Sequence, residues 1–205
     1  MPDQDAIVAI TSESFDMQAS MNIIWKNLLP AFQDFALPQD EDGQRSVASK
    51  ISSLAMLPPA FNASSDLVKD ISGKQFTFEE NDYGIKSITV NYSDAGCQVE
   101  INKIKSEVIN CGIQQWIEAD QIKSPEDLYP IGAQIPVESK YVASATWKDE
   151  NTLQVSLKFA ETIHGEHVFL AFDDDKVAVS FLNSVAMGRG GKDERLGIEG
   201  RIIQI

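Results

Sequence analysis

From Gly73 onward, apolar side chains recur at every second position. KQFTFEEN sets Phe76 and Phe78 on one face. IKSITVNY sets Lys86, Ile88, Val90 and Tyr92 opposite Ile85, Ser87, Thr89 and Asn91. CQVEI aligns Cys97, Val99 and Ile101. SEVINC, YVASATW, TLQVSLKF, HVFLAF, KVAVSFL and IEGRII continue the pattern. A period of two is that of a strand, because successive side chains leave opposite faces of the pleat. Turn residues separate the runs at Asp94–Gly96, Lys103–Lys105, Asp149–Asn151, His164–Gly165 and Asp173–Asp175. Short strands at this spacing bury their apolar faces by closing on one another. Residues 73–205 are therefore expected to form an antiparallel β module, a barrel or a sandwich, with a lipocalin-like barrel among the candidates.

The first third of the chain follows another rule. Ala6–Ile10 is a short β-branched run, apolar throughout, which reads as a strand buried on both faces. Met17, Met21, Ile24, Trp25, Leu28, Leu29 and Phe32 then form a stripe of helical period. Ser14 or Asp16 is placed to cap that helix, and Pro30 distorts its last turn. Residues 1–33 are read as a strand–helix unit and 34–72 as a linker or arm. Within the linker, ALPQDEDGQ is rich in turn residues, and SVASKISSLAMLPPAF is either one or two helical turns or an extended arm. The fold class is α+β, mainly antiparallel β. One strand and one helix make no core by themselves, so the first unit reads as the end of something larger.

Composition narrows the function. The chain has 205 residues, of which 43% are hydrophobic, enough for a real core. Lys and Arg total 17 against 31 Asp and Glu, a formal charge of −14. That balance argues against nucleic acid and anionic membrane as partners. With 2 His and 2 Cys, neither a His-rich metal centre nor a disulfide framework is expected. No run approaches the length of a membrane helix, and MPDQDAIVAITS has no basic stretch of a signal peptide.

PDQDAIVAITSESFDMQASMNIIWKNLLPAF resembles the C-terminal end of the catalytic domain in serine β-lactamase-like hydrolases, the group of class C β-lactamases and penicillin-binding esterases. Pro2, Asp3, Asp5, Val8, Thr11, Ser12, Asp16, Gln18, Leu28, Leu29, Pro30 and Ala31 carry the likeness. ASATWKDENTLQVSLKFAETIHGEHVFLAFDDDKVAVSF and GKQFTFEENDYGIKSI resemble the accessory β module that some of these enzymes bear. The resemblance implies a terminal strand and helix of a hydrolase domain, followed by an accessory module. It implies a periplasmic setting, if the chain follows that family.

The family's catalytic motifs are not in this sequence. No serine has Lys three residues on, so the S-x-x-K nucleophile is missing. Y-x-N and K-T-G are missing too, and Ser20–Asn22 matches S-x-N only within the predicted helix. The chain by itself is thus expected to be non-catalytic, with no catalytic, cofactor or metal residues. The expected role is accessory: structural, or governing access of substrate to a catalytic domain. The partner would be that domain, or a second copy of the chain through the Met17–Phe32 helix. The competing reading is a free-standing barrel that binds a small apolar ligand. Trp116, Tyr141, Trp147, Phe159, Phe169, Phe172 and Phe181 are then candidates to line its cavity, although alternating aromatics also make ordinary core.

Smaller features remain. Asp173–Asp175 lacks a calcium-loop spacing and reads as a charged hairpin tip. GRGGKDE, Gly188–Glu194, fails both phosphate-loop patterns and reads as a hairpin loop. His164 and His167, flanked by Glu161 and Glu166, face opposite sides if both lie on a strand, whereas a turn between them would bring them together. Cys97 and Cys111 flank the turn at Lys103–Ser106. A hairpin centred there makes them cross-strand neighbours, so a disulfide and a pair of buried thiols are both open.

Overall fold

The computed structural model describes residues 1–202 except 13, 15, 105, 120–139, 161 and 189. It divides into two units, Met1–Met56 and Leu57–Ile205.

The second unit is a closed β-barrel. Its strands are β1 (Gln75–Phe78), β2 (Ser87–Ser93), β3 (Gly96–Asn102), β4 (Glu107–Ile113), β5 (Ile117–Glu118), β6 (Tyr141–Trp147), β7 (Thr152–Phe159), β8 (Gly165–Asp173), β9 (Lys176–Asn183) and β10 (Ile198–Ile202). Strands β1 to β4 form one meander and β6 to β10 another. Two seams close the ring. At the first, β1 pairs antiparallel with β10, Phe76 opposite Ile202. At the second, β4 pairs with β6, Gly112 opposite Ser144 and Ile113 opposite Ala145, and this pairing is parallel. The expectation of purely antiparallel pairing is corrected at that seam. The reason is topological: β5 only flanks β6, so the closed ring has an odd number of strands. Directions that alternate around an odd ring must repeat once.

The alternation read from sequence fills the interior. Phe76, Ile88, Val90, Val99, Ile109, Ala143, Ala145, Trp147, Leu153, Val155, Leu157, Leu170, Val177 and Val179 are all buried. Gly200 of β10 lies beneath the Phe78 ring, where a Cβ would come within 2.7 Å of it. The unit also recruits residues from the stretch read as linker. Asn62 exchanges two backbone hydrogen bonds of 2.9 Å with Trp147. The short helix Val68–Ile71 buries Ile71 in the barrel core.

The first unit is helical. One helix spans Met17–Ile23 and another Glu41–Ser52. Asp16 caps the first, its carboxylate accepting from the Ala19 amide at 2.8 Å. That helix runs on through a wider turn at Ile24–Leu28 and a tight one at Leu29–Ala31. Pro30 has no N–H to continue the regular ladder. The second helix starts inside the segment read as turn-rich linker. Asp40 accepts from the Gly43 amide at 2.8 Å, and Glu41 and Asp42 occupy the positive end of the helix dipole. The strand expected at Ala6–Ile10 does not form; Ile7 is 96% exposed. A strand needs hydrogen-bonding neighbours, and the described residues of Met1–Met56 contain no other strand to supply them.

Candidate functional site

One end of the barrel interior is packed solid with aromatic rings. Trp147, Phe76 and Phe172 are fully buried there, with centroids 5.5 Å apart for Phe76–Phe172 and 6.0 Å for Trp147–Phe172. Tyr92 leans on Trp147, and burial pushes its phenol up to about 12. Toward the start of β8 the side chains are smaller and a cavity of 470 Å³ remains. Its walls are aliphatic: Ile85, Ile88, Ile101, Ile109, Val168 and Val179 face it, with Leu157 beside them. A volume in the range of roughly 300–1,000 Å³ accommodates a small organic molecule.

Strand register explains how polar groups come to the rim. Glu107 shares the inward parity of Ile109 and Cys111 on β4. Glu166 shares that of Val168 and Leu170 on β8. Both acidic side chains therefore point where an apolar one would be expected. Lys103 reaches Glu107 at 3.2 Å. Glu166 is fully buried and accepts from Arg195 Nη2 at 2.6 Å. Arg195 also donates from Nε to Asp193 Oδ1 at 2.9 Å and from Nη2 to Asp193 Oδ2 at 2.7 Å. Its guanidinium lies over the Phe181 ring, 4.9 Å from the centroid. Phe181 in turn packs on Tyr83 at 4.9 Å, and the Tyr83 hydroxyl donates to the Leu196 carbonyl at 2.7 Å.

The electrostatics of this rim are tightly set. Burial works against ionisation of Asp193, but hydrogen bonds from Arg195 and from the Asn183 amide outweigh it and leave the carboxyl below its ordinary value. Burial likewise works against the Arg195 charge, and its two carboxylate partners more than restore it. Tyr83 is raised, chiefly by burial. The loop read as a plain hairpin thus ends in an anchored residue, with the Asp193 side chain only 6% exposed.

The candidate lining aromatics fall elsewhere, with one exception. Phe181 borders the cavity. Trp147, Phe172, Tyr141 and Phe159 are buried core; Tyr141 and Phe159 stack at 6.2 Å. Phe169 lies on the outward parity of β8, beneath Lys148. Trp116 is half-buried and does not border the cavity. This cavity is bordered mainly by Ile and Val, with Tyr83 and Phe181 as its aromatic members. Tyr83, Glu107, Glu166 and Arg195 were missed from sequence. The available signal was a charged residue on the apolar parity of a strand, which Glu107 and Glu166 both display.

Cys97 and Cys111 sit directly opposite one another in the β3–β4 register, as the hairpin arithmetic implied. Both are held as buried thiols. Burial, then the neighbouring Cys111, pushes the Cys97 thiol well up, which favours its protonated form.

Of the two histidines only His167 lies on a strand; His164 precedes β8. His164 Nδ1 is 3.3 Å from the Ser184 hydroxyl. His167 Nδ1 lies 2.9 Å from Ser156 Oγ, and the Gln154 amide nitrogen sits 3.1 Å from the same hydroxyl. A Ser–His contact is half of a nucleophilic triad. Ser156 is only 1% exposed, and the contact satisfies buried polar groups on the barrel's outer face. Glu161 lies outside the described residues. Among the described residues no group of His, Cys, Asp and Glu is arranged to hold a metal ion, and no helix is long and apolar enough to cross a membrane.

Compared with known proteins, the chain matches no family model and no curated protein.

Proposed function

We propose that the barrel is a lipocalin-like module that holds a small, largely apolar molecule in its interior. The observation that carries this reading is the 470 Å³ cavity walled by isoleucine and valine with charge confined to its rim. Apolar walls release water on contact with an apolar chain, and the rim groups orient whichever end is polar. Val168 borders the cavity without being part of the fully buried core. Val168→Phe should fill the space, keep the fold and cut uptake of an apolar fluorescent probe by at least about tenfold, near 1.4 kcal/mol. Unchanged uptake in that variant would place the probe elsewhere and overturn the reading.

A second reading is favoured by a different observation. No described residue of Met1–Met56 is buried, yet Met17, Trp25, Leu28 and Phe32 of the helical stripe are exposed. In this reading the chain is the accessory C-terminal region of a serine β-lactamase-like hydrolase, and the stripe packs on the catalytic domain or on a second copy of the chain. The chain should then turn over neither a β-lactam nor an activated ester. Turnover abolished by replacing one of its own serines would sink this reading.

A further inference from the structure

The chain has 2 cysteines, and the fold sets one against the other. Cys97, near the start of β3, is paired with Cys111, near the end of β4. Both lie on the inward parity, Cys97 with Val99 and Cys111 with Ile109, and both are buried thiols. Directly opposed residues of an antiparallel pair hold their Cα atoms about 4.5–5.5 Å apart, with both side chains on one face, and that separation lies within the span of a disulfide. The turn before Cys97, Ser93 to Ala95, is exposed, so fraying of this strand end reaches the pair without opening the whole barrel. We propose that Cys97 and Cys111 form a reversible cross-strand disulfide, an oxidation-driven clasp on the β3–β4 hairpin.

The position gives such a bond leverage. The parallel seam begins at the residue after Cys111, and there the described residues of β4 and β6 meet through two pairs, Gly112 with Ser144 and Ile113 with Ala145. Every other junction of the ring has more. A bond from Cys111 to β3 holds β4 in register where its grip on β6 is shortest. The far half of the same hairpin carries Ile101, Lys103, Glu107 and Ile109 of the cavity wall. The oxidant is of the hydroperoxide class. With hydrogen peroxide, one cysteine sulfur attacks a peroxide oxygen, the O–O bond breaks, and a sulfenic acid and one water form. The second sulfur then displaces the sulfenic oxygen; the S–S bond forms, the S–O bond breaks and a second water leaves. The two thiols give up two electrons and two protons, and the peroxide becomes two waters. Burial favours the protonated thiol at Cys97, so the closed pair reacts slowly and opening of the strand end sets the rate.

The test uses the full chain, first reduced and then treated with hydrogen peroxide at neutral pH, with catalase to end the reaction. After alkylation in denaturant, peptide mapping should show both thiols lost together and one pair of peptides joined through Cys97 and Cys111, released again by dithiothreitol. Oxidation should raise the urea midpoint and slow amide exchange in β3 and β4 by at least about tenfold, because the bond closes a loop in the unfolded chain. Cys111→Ala keeps a small apolar side chain and should abolish the response. Thiols left unmodified, oxidised to sulfenic or sulfinic acid without the cross-link, or joined between two chains would overturn the disulfide. A cross-link that leaves midpoint and exchange unchanged would overturn the clasp, and so would an equal rise of the midpoint in Cys111→Ala. Neither measurement involves a ligand, so the cavity reading stands or falls separately.

Discussion

The two units of this chain use apolar residues to opposite effect. In Leu57–Ile205 the alternating side chains close a ring, and Trp147, Phe76 and Leu153 lose essentially all contact with solvent. In Met1–Met56 the helices are properly begun, by Asp16 and Asp40, and yet none of their described residues is buried. A helix satisfies its own backbone, so it forms with caps and propensity and without a core. A strand satisfies its backbone only against neighbours, so barrel and core arise together. The stability of the molecule should therefore reside almost wholly in the barrel.

The sharpest way to break that comparison is a matched pair of truncations. Trp147→Ala removes the largest ring of the packed end and should cost about 3–5 kcal/mol, read as a fall in the urea midpoint. Ile51→Ala, on a side chain 63% exposed in the second helix, should change the midpoint by less than about 0.5 kcal/mol. Comparable losses from the two would show that the first unit contributes a core of its own.

Next in size is the rim of the cavity. Arg195→Met leaves the buried Glu166 without its 2.6 Å partner, and breaking such a pair costs about 3 kcal/mol. The double variant Arg195→Met with Glu166→Gln should recover part of the loss, because one of the two stranded carboxylates is neutralised while Asp193 stays charged. No recovery would mean that Arg195 stabilises through Asp193 or through its packing on Phe181 instead.

How far the sequence foretold this architecture differs between the regions. The runs read as strands recur as β1 to β4 and β6 to β10, because each carries its own period. The parallel seam was not legible: it follows from strand number and closure, which no local pattern encodes. Ala6–Ile10 misled because a β-branched run states a preference that only a neighbour can satisfy. Of the helix at Glu41–Ser52, the half from Ser46 is one of two alternatives that SVASKISS allows, while the polar first half reads as turn, although Asp40 and the acidic first turn announce it. At the cavity, the aromatics drew attention by size, but place along the barrel and strand parity decide which side chains line it, and of the candidates only Phe181 does.

A smaller effect comes with pH. Burial, then Lys158, lowers the His167 pKa below its ordinary 6.5, and the same causes lower His164. The unfolded chain then binds protons more readily than the folded one between the depressed value and 6.5. The neutral form's contribution is fully present above pH 6.5 and is lost as pH falls through the depressed folded value. Thermal scans should show a midpoint that declines on acidification through this window. His167→Asn should flatten the slope, and a slope unchanged in that variant would remove His167 as its source.

The smallest effect tests whether the first unit is energetically separate. Asp40→Ala removes the side-chain acceptor at the start of the second helix, an exposed cap worth about 1 kcal/mol to that helix. Far-UV circular dichroism should record a loss of helical signal. Amide exchange should quicken across Glu41–Ser52 and stay unchanged in β7 and β8. The urea midpoint of the barrel should not move. A shifted midpoint would mean that helix formation and barrel closure are coupled, and that exposed apolar side chains such as Val47 and Ile51 contribute to a surface the barrel needs. Local helicity lost at constant barrel stability would establish that the same chain holds one region ordered by its own backbone and another ordered by its core.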